Sequence, residues 1–590
     1  VNGTVALDGS ANLQLTGGLV VGTDGHVVVN LAVLPSRVSG AASLNIGGTG
    51  CDGGSVVLSG MTQMNIDGDV VIDGSGVPLE GAPLGCNPPI LTMADSGSLQ
   101  GASMIVEEGT AELLDSSVLQ ITGTLTVGTD GLIRGGEFVS AAMSGAGSLI
   151  ISGTDCGGEV ALSGMMQMNV DGDILVDGTG VPIDGNELGC NPPILNLNDS
   201  STASGTTMEI ISGGIVQMDG GGSLSVTGSV SIQSGGILQS TALSSGSVTG
   251  GSMVVSGNGS GGGVDLEGLI DLNIGGDVQL LGCIGPLLGC NPPILRLGNL
   301  NLPLGGQGPA ADVDGGLLIN GAVQVVIPST ATFALAGDFT NHATDPLLFD
   351  WSTGPLTLDG TIQDFELAGE DRGPNELGFI DNFAIDTLNI AAGTSVDFID
   401  TFDNFPGAGC EALYVRTLNL AAGSIIRLSG CNVYYQQLIV EGEPEIQNLL
   451  GGKLQAIRSA DLDGDNDIDD ADFAIFVNAF GDCSEDPNST IAQSDFDGDG
   501  CVTFVDYQIW LLLFREAIGQ PQAGPPIPAN VGDMNGDGAI RGDDIMGFMV
   551  VITDPAGAGF RDRLVADFNG DGVYDTIDFN AFVEVLLTQN

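Results

Sequence analysis

The sequence predicts a mainly β chain: a Gly-rich, disulfide-stapled β-solenoid followed by two small α-helical modules. Three observations predict it. Short segments such as SVVLSG, NLQLTG and TLTVGTDG place Val, Leu or Ile at every second residue between Gly, Asp, Asn and Ser, the pattern of half-buried strands joined by tight turns. The segment GCNPPIL begins at Gly85, Gly189 and Gly289, so a superrepeat of roughly 100 residues organises the first half, as in a stacked array. Beyond Asp461 the apolar spacing changes from two to three and four residues, the period of amphipathic helices.

The superrepeat extends upstream of GCNPPIL. MTQMNIDGDVVIDGSGVP from Met61 matches MMQMNVDGDILVDGTGVP from Met165, and LNIGGDVQL from Leu272 is a worn third copy. Several strands per superrepeat suggest coils of roughly 20 to 30 residues over 1–339; an array of β-sandwiches is the alternative. Phe, Tyr and Trp, scarce until then, enter the text over 340–455, where DTLNIAAGTSVDFID and RTLNLAAGSIIRLSG start 30 residues apart, at Asp386 and Arg416. That stretch is expected to be a second solenoid or capping segment with an aromatic core. Modules over 456–518 and 531–590 follow, joined by the Pro-rich linker GQPQAGPPIPAN over 519–530, which favours polyproline II.

The charge balance excludes whole classes of partner. Twelve Lys and Arg stand against 74 Asp and Glu, a formal −62 in 590 residues. Such a chain repels nucleic acid and anionic lipid and attracts divalent cations. With 42% hydrophobic residues and a mean hydropathy of +0.29, it is expected to fold rather than remain disordered. Gly reaches 96 residues without a three-residue period, which excludes collagen. No apolar run of about 18 residues is present, so no membrane span is expected. The start at Val1, without Met or an apolar leader, fits a secreted chain already cleaved from a signal peptide.

The ten cysteines sort into neighbouring pairs. Cys51 with Cys86 recurs as Cys156 with Cys190, and the third copy loses the first member but gains Cys283 beside Cys290. Cys410 with Cys431 and Cys483 with Cys501 complete the expected set. Zinc is the rival reading, yet only His26 and His342 are available and no CxxC occurs. Disulfides imply an oxidising, extracellular compartment, and each loop of about 35 residues closed contributes about 3 to 4 kcal/mol in the chain-entropy account.

One twelve-residue motif occurs four times: DLDGDNDIDDAD from Asp461, DFDGDGCVTFVD from Asp495, DMNGDGAIRGDD from Asp533 and DFNGDGVYDTID from Asp567. Oxygen-bearing side chains stand at positions 1, 3, 5 and 12, position 6 is Gly or Asn, and position 7 offers its carbonyl, which is how a chain wraps six to eight hard oxygens around calcium. The expected ligands are Asp461, Asp463, Asp465, Asp467 and Asp472; Asp495, Asp497, Asp499, Cys501 and Asp506; Asp533, Asn535, Asp537, Ala539 and Asp544; and Asp567, Asn569, Asp571, Val573 and Asp578. About four Ca2+ ions follow, one per loop. Position 8 is apolar each time, as Ile468, Val502, Ile540 and Tyr574, suiting a short strand between paired loops. Stripes such as Phe473, Phe476, Val477 and Phe480, or Tyr507, Trp510, Leu511 and Phe514, predict a helix after each loop, and Ile545, Phe548, Met549 and Ile552 repeat the spacing with Phe579, Phe582, Val583 and Leu586.

These loops resemble dockerin type I modules, because the acid at position 12 is Asp rather than the Glu of EF-hands and no entering helix is apparent. Loop starts lie 34 residues apart within each pair, so the resemblance covers Asp461 to Asn590 as two tandem modules. It implies calcium-dependent docking. Dockerins meet cohesins largely through residues just before position 12, often Ser-Thr. Here those places hold Asp470-Ala471, Phe504-Val505, Gly542-Asp543 and Thr576-Ile577, a departure that argues against a cohesin partner. The N-terminal part resembles bacterial extracellular β-helix proteins, a class that includes pectate-lyase-like enzymes.

Catalytic equipment is scarce. Before residue 330 there is no lysine, only Arg37, Arg134 and Arg296, the single histidine His26 and the single aromatic Phe138, too little for a sugar-binding groove. Asp67, Asp69 and Asp73 recur as Asp171, Asp173 and Asp177, with Asp277 in the third copy; repetition favours turn structure or a weak calcium site over a catalytic one. Asp350, Asp381, Asp397, Asp400 and Asp403 accompany the aromatics without a singled-out pair. The expected function is a non-enzymatic, secreted structural protein of the cell surface or matrix. It is expected to join copies of itself, or another extracellular protein, through calcium-dependent modules and solenoid ends. A dockerin-bearing polysaccharide-degrading enzyme, or a surface adhesin or carbohydrate-binding protein, is the alternative.

Overall fold

The computed structural model describes residues 3–8, 11–30, 36–48, 53–75, 87–136, 140–153, 156–181, 191–233, 235–241, 244–257, 261–282, 291–298, 308–405, 409–465, 467–484, 489–518, 530–535, 539–555, 557–570 and 572–588. Alternating apolar residues make strands of mostly four or five residues, and every pairing between the strands is parallel. Up to Gln324–Val326 a strand pairs with the third one further along the chain, or with the second where Ala142–Ser152 and Gln167–Asp177 each run through two walls as one strand, so one coil has three walls. Coils therefore stack into a solenoid-like sheet with a continuous interior. Along one wall Val56, Leu91, Ala111, Ile133, Val160 and Leu195 fall in register, all at most 2% exposed, an aliphatic ladder that removes one inward side chain per strand from water at each step.

The superrepeat is four coils. Ser55 pairs with Ile90, Ile90 with Thr110, Thr110 with Leu132 and Leu132 with Glu159; the next four steps run from Glu159 through Ile194, Ile215 and Ile237 to Gly263. The three shorter coils take 20 to 27 residues, as from Ile90 to Thr110 and from Leu132 to Glu159. The long coil takes about 35, as from Gly60 to Asp95. The excess falls where GCNPPIL enters. There a glycine pair of one coil lies against the Pro-Pro of the next: Gly53 N–H donates to Asn87 O and Gly157 N–H to Asn191 O, each at 2.8 Å. A Cβ on Gly157 would stand 2.0 Å from the Pro193 nitrogen, and one on Gly53 2.4 Å from that of Pro89. Both GG and PP are repeated because they occupy one another's space. Gly157→Ala is accordingly expected to cost about 1–3 kcal/mol through overpacking, read as a lower melting temperature of the β signal, while Gly17→Ala, whose added Cβ meets nothing within 4 Å, leaves it unchanged.

Turns between strands are held by carboxylates. Asp95 and Asp115 both adopt φ of 56°, a left-handed turn that Asp tolerates. Asp95 accepts from Gly60 N–H at 3.0 Å, and Asp115 accepts from Asp95 N–H at 3.1 Å, so the turn acids bond coil to coil.

At Phe349–Leu358 the architecture changes. This strand makes the last pairs of the third wall, Val325 with Phe349 and Val326 with Asp350, and then joins the second sheet, Phe333 with Leu356. Beyond it strands pair with the second one along, Leu356 with Leu388, Leu418 and Leu438 in turn, so each coil has two strands. Aromatic rings fill the interior there: Phe339 stacks on Phe365 at 4.5 Å, and Phe333 meets Trp351 edge-on at 5.3 Å. The core is nonetheless one cluster, from Val21 to Val433. The last coil leaves apolar groups in water, with Ile446 at 41%, Leu449 at 44% and Leu450 at 90% exposure.

The C-terminal helices are α1 (Asp470–Ala479), α2 (Thr490–Ser494), α3 (Phe504–Ala517), α4 (Asp544–Thr553), α5 (Phe560–Ala566) and α6 (Thr576–Thr588). Four of them follow the four loops. The expected stripe is buried at Phe473, Phe476, Val477, Trp510, Phe514, Phe548 and Phe582, joined by Leu513 and Val551, while Ile545 and Phe579 are 43% and 39% exposed. Contrary to expectation, α2 and α5 enter the second loop of each pair. Both modules share one core, in which Phe473, Trp510 and Phe548 are fully buried. It also reaches the solenoid: Leu377 packs on it, and the buried Asn375 donates from Nδ2 to Phe496 O at 3.1 Å. A Cβ on Gly378 would meet the Tyr414 ring at 1.9 Å, and the Tyr414 hydroxyl in turn donates to Gly373 O and accepts from Arg372 N–H, which fixes the segment that carries Asn375.

Candidate metal centres

The four loops close in the same way. Each position-12 acid, Asp472, Asp506, Asp544 and Asp578, is 0% exposed, because it opens a helix whose apolar face is in the core. Its carboxylate ties the start of the loop to position 9. Asp472 accepts from the amides of Leu462, Asp463 and Asp469; Asp506 from Asp497 and Thr503; Asp544 from Met534, Asn535 and Arg541; Asp578 from Phe568 and Asp575, all at 2.6–3.1 Å. Position 1 binds the turn from the other side. Asp461 accepts from Gly464 N–H and Asp495 from Gly498 N–H, while Asp495 and Asp567 also accept from the position-6 amides of Gly500 and Gly572. Gly464, Gly498 and Gly570 at position 4 have φ of 81°, 77° and 68°, a requirement beside that of position 6 that liganding arguments alone do not expose.

Closure brings the acids together. Asp461, Asp463 and Asp472 offer oxygens within 4.8 Å of one another, as do Asp467, Asp469 and Asp472, and Asp495, Asp497 and Asp506. Burial, with the Asp506, Asp499 and Asp495 carboxylates adding to it and the Asp499 amide opposing, pushes Asp497 up to about 6. Asp537 and Asp571, the position-5 acids of the third and fourth loops, lie outside the described residues. Asp465, Asp499, Cys501, Asp533, Asn535, Ala539, Asn569 and Val573 keep their expected places in the loops. The donor set, hard oxygens with backbone carbonyls in an irregular wrap, fits calcium. Arg458 adds an unforeseen cation: its Nη1 lies 3.1 Å from Asp495 Oδ2.

Among the described residues no bond joins the position-8 residues across the loops. Val502 bonds instead to the segment after α1, donating to Asp482 O and accepting from Gly481 N–H, beside the Cys483–Cys501 disulfide. Cys410 is bonded to Cys431, and Cys156 is disulfide-bonded. Cys51, Cys86, Cys190, Cys283 and Cys290 lie outside the described residues, as does Phe138.

The recurrent solenoid acids hold turns. Asp69 accepts from Ser103 Oγ and Asp173 from Thr207 Oγ1, each at 2.6 Å, and Asp277 accepts from Gly316 N–H. His26 bonds Ser55, and His342 stacks on Phe402. A cavity of about 750 Å3 opens where Pro374, Tyr435 and Leu454 face the first loop at Asp461 and Asp463.

No family model and no curated protein matches the chain. Among solved structures it is similar to the TibC-catalysed hyper-glycosylated TibA fragment, at 14% identity and a TM-score of 0.21, covering 67% of this chain and 97% of that one. A likeness of that size carries nothing about function. Among the described residues no helix is long and apolar enough to cross a membrane.

The solenoid acids set a pH response. Burial, then the Asp312 carboxylate, raises Asp359; burial, then Asp338 and Asp397, raises Asp364. Glu411 is pushed up to about 7, by burial first and then by Asp400 and Asp403, against the amides of Phe405 and Asn404. A raised carboxylate binds its proton more tightly folded than unfolded, so stability falls as pH rises from the ordinary carboxylate range through the folded value. In chelator, the β-signal melting temperature is therefore expected to drop between pH 5 and pH 7.5, and a flat profile would refute this.

Proposed function

We propose that the chain is a non-enzymatic extracellular structural protein, a solenoid rod whose calcium-loaded, dockerin-like modules and exposed end join it to copies of itself. The reading is carried by the last solenoid coil. Among the described residues the strand Glu445–Leu449 is paired on one side only, with Ile425–Ser429, and Ile439, Val440, Ile446, Leu449 and Leu450 lie 40–90% exposed around it. An unpaired apolar edge is a template for another chain. The disulfides are compatible with an extracellular location, and the buried position-12 acids supply the calcium dependence.

The test is sedimentation and negative-stain microscopy of the whole chain, with calcium and after chelation. Particles that grow with concentration in calcium, and that Ile446→Lys with Leu449→Lys reduces to monomers, are expected. Monomers under both conditions would defeat the reading, and calcium-dependent cleavage of a polysaccharide would replace it with the enzymatic one.

A further inference from the structure

The second loop is pinned to the solenoid at three of its first four positions. Asp495 at position 1, 2% exposed, has its Oδ2 3.1 Å from Arg458 Nη1. Phe496 at position 2 accepts through its carbonyl from Asn375 Nδ2 at 3.1 Å. Gly498 at position 4 lies so close to Pro374 that an added Cβ would stand 3.2 Å from its Cδ. Arg458 comes from the solenoid side of this contact. It follows the last solenoid strand, Leu454–Ala456, by two residues, and its N–H donates to Pro374 O at 2.7 Å. The guanidinium is thus carried by the same backbone segment against which the loop rests.

A fixed positive charge therefore sits on a set of metal ligands. Asp495, Asp497 and Asp506 offer oxygens within 4.8 Å of one another, and Asp499 is a fourth acid of the same loop. Without a metal, like charges at that range repel. Arg458, its side chain 22% exposed against 4% for Asp495, supplies one compensating charge. A divalent cation among the three carboxylates takes Asp495 as well. Two cations then share one carboxylate, closer together than a Debye length of about 8 Å and partly out of water, where salt screens their repulsion little.

We infer, on the reading that these loops hold calcium, that Arg458 sets the affinity of the second one: its guanidinium holds Asp495 when the metal is absent and opposes the metal when it is present. The coupling is reciprocal. Calcium at this loop weakens the Arg458 contact by the factor that Arg458 weakens calcium, so the junction between solenoid and modules responds to the metal.

The test titrates Ca2+ into the whole, decalcified chain and follows emission from Trp510, which lies on the helix after the second loop and donates from Nε1 to Ala460 O at 3.3 Å. Arg458→Gln is expected to lower the half-saturating calcium concentration about tenfold and, in chelator, to lower the urea midpoint. Arg458→Lys, which keeps the charge, is expected to move the calcium midpoint less. An arginine with only a structural role would lose stability without tightening the loop. Should Arg458→Gln lose its helices in chelator, the calcium-saturated variant is mixed with excess chelator, and its Trp510 change is expected about tenfold more slowly than in the native chain. A midpoint and release rate equal to the native ones, or weaker binding by the variant, would overturn the inference and leave the calcium reading of the loops standing. No calcium response of Trp510 in the native chain would defeat both.

Discussion

Chelation of the calcium-loaded protein is expected to melt α1, α3, α4 and α6 and to leave the parallel sheet intact. The helical part has a small core, and its four loops each close on a buried Asp, with carboxylates within 4.8 Å of one another in the first two. Each helix carries a fully buried Asp in its first turn, and among the described residues no basic side chain pairs with it. With calcium 100-fold above its Kd, each site contributes about 2.7 kcal/mol to the folded state, and loss of several sites exceeds what so small a module can spare. The far-UV helical signal should collapse, and emission from Trp510, 0% exposed, should shift to the red, while Trp351 in the solenoid keeps its environment. Helices that survive chelation unchanged would show that the loops are merely acidic turns.

Asp506→Ala is expected to cost about 3–5 kcal/mol, the range for removing one member of a buried charged network. It orphans the amides of Asp497 and Thr503 and the Thr503 hydroxyl, and it removes the acid proposed as the bidentate ligand. Asp506→Asn separates the two roles. It keeps an acceptor for one of the two amides, since Asp497 N–H bonds Oδ1 and Thr503 N–H bonds Oδ2, so without calcium it should cost about 1–3 kcal/mol, less than Asp506→Ala, yet it should abolish the gain from calcium at that loop. Urea unfolding followed by Trp510 emission, with and without calcium, reads both. Equal losses for the two variants without calcium would mean that charge rather than hydrogen bonding closes the loop.

The strands were legible because their signal is local: residues such as Val56 and Leu58 alternate with polar neighbours whatever they pair with. The superrepeat was legible too, but not its division into four coils, since that depends on register between residues 20 to 35 apart. The loss of the third wall at Phe349 left only an indirect trace, the arrival of aromatics, which large rings make necessary where a wall is missing. In the loops the ligand positions are a spacing and can be read. The partner of Val502, the ion pair of Arg458 and the entering helices α2 and α5 are tertiary choices that spacing does not encode. Glu411 escaped notice for the same reason: an acid eleven residues after Asp400 with no DxDG between them has no pattern, and only its burial makes it conspicuous.

The four-coil period has a metrical consequence. Neighbouring parallel strands lie about 4.8 Å apart, so the Pro-Pro corners at Pro88, Pro192 and Pro292, which recur at the same turn of every fourth coil, are spaced about 19 Å along the axis. The stack is graduated like a ruler, with a Pro-Pro pair at each mark. Anything that gripped two of those marks at once would have its own spacing dictated by the stack.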